Sequence, residues 1–148
     1  MTAYFAALPP RTDRIVAGIG FASAVRSDEL VALVTACLSE AGMTPDQLTA
    51  IATHVRKQGA SQLAALAAHF DVPLRLLTDD DLSGDVPGVA EAVAAEAGTL
   101  VLPKRKSALA TCALARCAPD FAVTRFGQPA ALSRATAAST LSTSIAGP

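Results

Sequence analysis

The chain has 148 residues, 51% of them hydrophobic and 17% charged, which describes one folded domain able to bury roughly 70% of its unfolded surface. Aromatic residues are only 4% and tryptophan is missing, so the core is built from Ala, Val and Leu, and base stacking on aromatic platforms is not expected. With 12 basic and 13 acidic residues the net charge is -1; no overall field draws the chain to nucleic acid or an anionic membrane, and any anion site is local.

Residues Met1 to Asp13 read as a loose leader, with Pro9-Pro10 blocking regular structure and none of the basic start and apolar core of a signal peptide. Arg14 to Gly20, "RIVAGIG", is a strand entering a glycine-bearing turn. Ser27 is the expected N-cap of a helix carrying Asp28 and Glu29 in its positive first turn. Leu30, Val34, Cys37, Leu38 and Ala41 make its apolar stripe, and Gly42 stands where a helix-ending glycine belongs. Thr44 to Gln47, "TPDQ", is a capping box with Pro at the first helical position.

Leu48 to His54 reads as a second strand, Ala60 to Phe70 as a second helix with Leu63, Leu66, Ala67 and Phe70 inward, and Val72 to Thr78 as a third strand. Asp79, Asp80 and Asp81 resemble a metal cluster, but capping of a short turn by Thr78 explains them fully. Gly88 to Gly98 is a third helix. A fourth strand, "TLVL", is expected to end at Pro103, where Lys104, Arg105 and Lys106 follow. Too few residues separate this strand from "ALATCALAR" for a parallel crossover, so the last strand is expected to be antiparallel. Residues 119–148 read as a loosely ordered tail.

Three strand–helix alternations predict an α/β protein: a three-layer α/β/α domain over residues 14–118, with a mostly parallel sheet of about five strands. Ligands of such sheets bind beyond the carboxyl ends of the strands, where the cations fall. No uninterrupted apolar run reaches the roughly eighteen residues of a membrane span. The three cysteines, Cys37, Cys112 and Cys117, have no metal-ligand spacing and read as free thiols, so a cytoplasmic location is expected, with no metal and no cofactor.

"VAGIG" at the start of the domain, "DVPGVAEAVA" (Asp85 to Ala94) and "LVLPKRKSALATCALAR" (Leu100 to Arg116) together resemble the cobalamin-biosynthesis CobE family, which is also the C-terminal domain of CbiG. The likeness covers about Ile15 to Arg116. It implies a part in building the corrin ring of vitamin B12. For a stand-alone chain it implies the aerobic route, in which the protein binds or handles a polycarboxylate precorrin, with other enzymes of the pathway as further partners. The alternative implied by CbiG is a hydrolase that opens the lactone of a precorrin-5A-type intermediate and releases acetaldehyde. Two departures stand out. Where the family has Cys-Arg-Arg-Gly after Gly-Ile-Gly, this chain has Phe21, Ala22, Ser23 and Ala24, and the acidic residue usual shortly after Lys57 is replaced within Gln58-Gly59-Ala60-Ser61.

Lys104 and Lys106, alternating with Arg105 in an extended segment, present two ammonium groups on one face, suited to a ligand with several carboxylates. The same cations also fit a solvated strand end. Lys57 adds a third cation after the second strand, and Gly18 and Gly20 allow a ligand close to the backbone or serve only a tight turn. Thr111 offers a hydroxyl, and Glu91 either pairs with a rim lysine or favours the start of its helix. His54 is placed as a base or axial ligand, but more readily as a loop residue bonded to a neighbouring backbone group. No residue is assigned a catalytic role.

Overall fold

A computed structural model describes residues 14–57, 60–82 and 89–129. Strand β1 (Ile15–Phe21) is apolar at nearly every position and buried on both faces, as the centre of a covered sheet requires. It is followed by helix α1 (Ser27–Glu40), a 3-10 turn at Pro45–Gln47 and strand β2 (Leu48–His54). Helix α2 (Ser61–Phe70), strand β3 (Leu74–Leu77), helix α3 (Val89–Ala95), strand β4 (Gly98–Lys106) and strand β5 (Ala110–Cys117) complete the alternation. A two-residue strand, β6 (Gln128–Pro129), follows.

The sheet order is β4-β5-β1-β2-β3-β6. β1, β2 and β3 are parallel neighbours. β5 lies antiparallel between β1 and β4, so β4 runs in the direction of β1, as a crossover through α3 demands. β6 closes the opposite edge, antiparallel to β3. Helices α1 and α2 cover one face, where Ile15, Ile19 and Leu114 pack against Leu30, Val34, Leu38, Leu63 and Leu66. On the other face α3 lies over Val16, Ala50 and Ala52, flanked by Phe126, and over Ala113 and Ala115. The α/β/α layering follows from this division.

Local signals mostly place the elements where the sequence puts them. The capping box forms, with the Thr44 N–H donating to Gln47 Oε1 at 2.9 Å. Gly42, at φ +75°, ends α1 in the left-handed conformation, and the Met43 N–H closes onto the Leu38 carbonyl at 2.8 Å. Thr78 caps the short Asp79–Asp81 turn as expected. Ser27 is not the N-cap of α1. The N–H groups of Glu29 and Leu30 bond to the Arg26 carbonyl, which makes Arg26 the cap position and Ser27 the first helical residue.

Two further expectations change. β4 does not end at Pro103 but continues through the cations to Lys106, with register shifts between Leu100 and Leu102 and between Leu102 and Arg105. β4 is an edge strand, so the missing Pro103 N–H interrupts no ladder to an outer neighbour, and the bulge absorbs the proline. The sheet also receives residues from beyond Ala118. Arg75, buried on β3, donates to the carbonyls of Phe126 at 2.8 Å and Gly127 at 3.2 Å and so fastens the chain that leads into β6. Residues 1–13 and 130–148 lie outside the described residues. Among the described residues no helix is long and apolar enough to cross a membrane.

Candidate functional site

The carboxyl ends of β1 and β4 and the start of β5 meet in one opening. A pocket of about 330 Å³ is lined by Gly20, Phe21, Ala22, Lys106, Ala110 and Thr111, together with the β4–β5 turn Ser107 to Leu109. Three of the expected binding residues, Gly20, Lys106 and Thr111, are thus brought together, Gly20 and Thr111 from positions 91 residues apart. The pairing of Gly20 with Thr111 across β1 and β5 is what joins them. Thr111 donates to the Gly20 carbonyl at 3.3 Å, and a side chain at Gly20 would begin 2.9 Å from that hydroxyl.

Lys57 adds to the same rim. Its Nζ lies 4.9 Å from the ring centre of Phe21, a cation–π arrangement that holds the ammonium group beside the pocket wall.

Of the three consecutive cations, Arg105 and Lys106 part to different faces. Arg105 turns to α1 and meets Glu40 in a forked contact, Nη2 to Oε2 at 2.6 Å and Nε to Oε1 at 3.1 Å. That pairing holds the Glu40 carboxyl below its ordinary range and raises the Arg105 guanidinium further. Lys104 and Lys106 are exposed. Lys106 pairs in register with Thr111, on the α3 side of the sheet.

Gly18 and Glu91 have other partners than a ligand. Gly18 lies buried two residues before the rim, and a Cβ there would come 2.2 Å from the Ala90 carbonyl. The close approach that it permits is that of α3 to β1. Glu91 accepts the backbone N–H of Lys104 at 3.0 Å, so it ties α3 to the bulge of β4.

His54 is 7% exposed at the end of β2. Its Nδ1 accepts the Arg56 N–H at 3.1 Å, which fixes the proton on Nε2, and Nε2 donates to Asp79 Oδ1 at 2.7 Å. Both ring nitrogens are engaged, so the ring is a brace between β2 and the turn after β3. Among the described residues no cluster of three His, Cys, Asp or Glu side chains is arranged to hold a metal ion. A separate apolar groove of about 400 Å³ lies between α2 and the start of β3. Its only charged side chain is Asp71, the wrong sign for a polycarboxylate.

Sequence reasoning missed the turn that walls the pocket. Glu29, in the first turn of α1, accepts the Leu109 N–H at 2.8 Å and the Ser107 hydroxyl. The Ala22 N–H donates to the Leu109 carbonyl at 2.9 Å. The Ser107 hydroxyl first, and the Leu109 N–H second, hold the Glu29 carboxyl below its usual pKa. Sequence reading offers only a weak signal for them, an acid in a first turn that the helix dipole also explains.

The family described as "Cobalamin synthesis G C-terminus" matches residues 15–85. Among solved structures, the crystal structure of CobE, a protein from the cobalamin (vitamin B12) biosynthetic pathway, is similar at 28% identity and a TM-score of 0.62, over 76% of this chain and 96% of that one. The crystal structure of cobalamin biosynthesis protein chiG from Agrobacterium tumefaciens str. C58 is similar at 26% identity and a TM-score of 0.51, over 72% of this chain and 99% of that one. No curated protein matches the chain.

Proposed function

Since this chain belongs to the cobalamin-biosynthesis family that comprises CobE and the C-terminal part of CbiG, we propose that it binds a polycarboxylate corrinoid intermediate at the rim formed by β1, β4 and β5. The observation that carries this reading is the convergence of Gly20, Lys106 and Thr111 on one open pocket, with Lys57 held beside it over Phe21. Lys104 extends the cationic edge along β4. Each exposed cation contributes modestly, so affinity arises from several carboxylate contacts together with burial of part of the macrocycle.

Binding without turnover is the favoured form of this reading. A hydrolase needs a group that activates water. His54 has both nitrogens engaged, and Glu91 is bonded to the Lys104 N–H. The test is to mix the purified protein with precorrin intermediates and look for chromophore that remains with the protein through gel filtration. Retention that falls with rising salt and with Lys104→Ala/Lys106→Ala supports the proposal. No retention overturns it, and release of acetaldehyde from a precorrin lactone at an enzymatic rate transfers it to the hydrolase reading.

A further inference from the structure

Leu109 is the one large hydrophobic side chain classed as exposed among the described residues, at 39%. It stands at the tip of the β4–β5 turn and lines the pocket that also contains Lys106. An isolated exposed leucine is ordinary on a protein surface. This one is unusual in how firmly its backbone is held. The Leu109 N–H bonds to Glu29, its carbonyl accepts from Ala22, Ser107 is bonded to Glu29 through its hydroxyl, and the Ser107 N–H reaches the Ala110 carbonyl at 2.9 Å. A turn anchored at each residue that flanks its tip does not need to expose an apolar side chain to satisfy its own backbone.

We infer that Leu109 is a ligand-contacting residue, a fixed apolar lip that packs on the hydrocarbon face of a ligand whose carboxylates are held by Lys106 and its neighbours, and that Glu29 positions it. This inference rests on the proposed binding function and specifies the ligand's class: a molecule with a broad apolar body and an anionic periphery, in contrast to a compact polyanion. The pocket pairs the two chemistries within a few residues, cation at Lys106 and leucine at Leu109. Ala22, Ala108 and Ala110 leave the floor small and uncharged between them.

The experiment compares two probes on the purified full chain: cobyrinic acid, a corrin ringed by carboxylates, and butanetetracarboxylate, which has carboxylates and no apolar face. Leu109→Ser is expected to weaken cobyrinic acid binding about tenfold, the scale for withdrawing a partly buried leucine, and to leave butanetetracarboxylate unaffected. Lys106→Ala is expected to weaken both. Glu29→Gln, which releases the turn, is expected to weaken cobyrinic acid binding with Leu109 still present, and restoring the carboxylate with Glu29→Asp is expected to recover part of it. If wild-type protein binds cobyrinic acid and Leu109→Ser binds it equally well, the lip is overturned while the binding function stands. If wild-type protein binds neither probe, both are overturned.

Discussion

Arg105 forks onto Glu40 of α1, whereas its neighbour Lys106 pairs in register with Thr111 and lines the pocket, so adjacent cations of one run serve different places. The forked geometry fixes the guanidinium on α1, while Lys104 and Lys106 remain exposed. The expected order of ligand-binding loss is therefore Lys106→Ala and Lys104→Ala ahead of Arg105→Ala. Titration at matched stability, repeated across salt concentrations within which the Debye length falls below about 10 Å, measures it. Equal losses for all three substitutions overturn the division.

Gly18→Ala is expected to destabilise the fold by about 1–3 kcal/mol, the cost of overpacking a close helix–strand contact. The added methyl meets the backbone of α3 at the Ala90 carbonyl and the Ala94 N–H, and neither can rotate aside. Chemical denaturation checks the loss. Unchanged stability would mean that α3 does not sit as close to β1 as the structure has it.

Arg75 is expected to be more important to stability than any rim cation. Arg75→Met leaves the buried Phe126 carbonyl and the half-buried Gly127 carbonyl without this donor, an expected loss of about 2–3 kcal/mol. Burial lowers the pKa of this guanidinium from its ordinary value, but a group that basic stays charged at all relevant pH. Hydrogen exchange should show the segment from Thr124 to Pro129 opening before the rest of the sheet in the variant.

The lowered Glu29 carboxyl makes a pH prediction with a definite sign. A carboxyl whose folded pKa lies below its unfolded value adds stability above the unfolded pKa, and that stability is lost as pH falls through the folded pKa. Wild-type protein should therefore exceed Glu29→Gln in stability at neutral pH, and the difference should shrink once pH drops below the ordinary 4.5. Denaturation midpoints of the two proteins between neutral pH and the acid limb test this. A gap that stays constant through the acid range excludes the link.

Thiol labelling separates access from acidity. The Cys112 thiol points its S–H at the Ala113 carbonyl; its neighbour Cys37 and its own burial push it well up, while the same contact draws the Cys37 thiol down against the effect of burial. Both are buried, whereas Cys117 is only half-buried. In native protein Cys117 is expected to react first, and after unfolding without reductant three thiols should be counted. Finding one would show a disulfide.

Much of this architecture was legible in local signals. Thr44-Pro45-Asp46-Gln47 announces its turn because every bond of a capping box lies within four residues, and Gly42 announces a helix end because its conformation is local. The cations follow the apolar run of β4 in the sequence and stand at the carboxyl end of that strand in the structure. What escaped depends on distant partners. Pro103 looks like a strand end until β4 is known to be an edge, and Gly18 looks like a ligand approach until α3 is laid on it. Arg75 carries no sign in its own neighbourhood that it faces carbonyls about fifty residues later. Leu109 read as one more apolar residue in a run, since nothing nearby shows that Glu29 holds its backbone.

The insertion of β5 between β1 and β4 also sets the order in which the molecule can be made. Gly20 waits for Thr111, and Phe21 for Ala110, across most of the sequence. A chain leaving the ribosome can pair β1 with β2 early, but the rim at Gly20 has only one of its walls until the final strands emerge. Contacts of such long sequence separation close slowly, so the rim is expected to be the last part of the sheet to form. A nascent chain arrested before Ala110 would have a partial parallel sheet and no pocket beside Gly20.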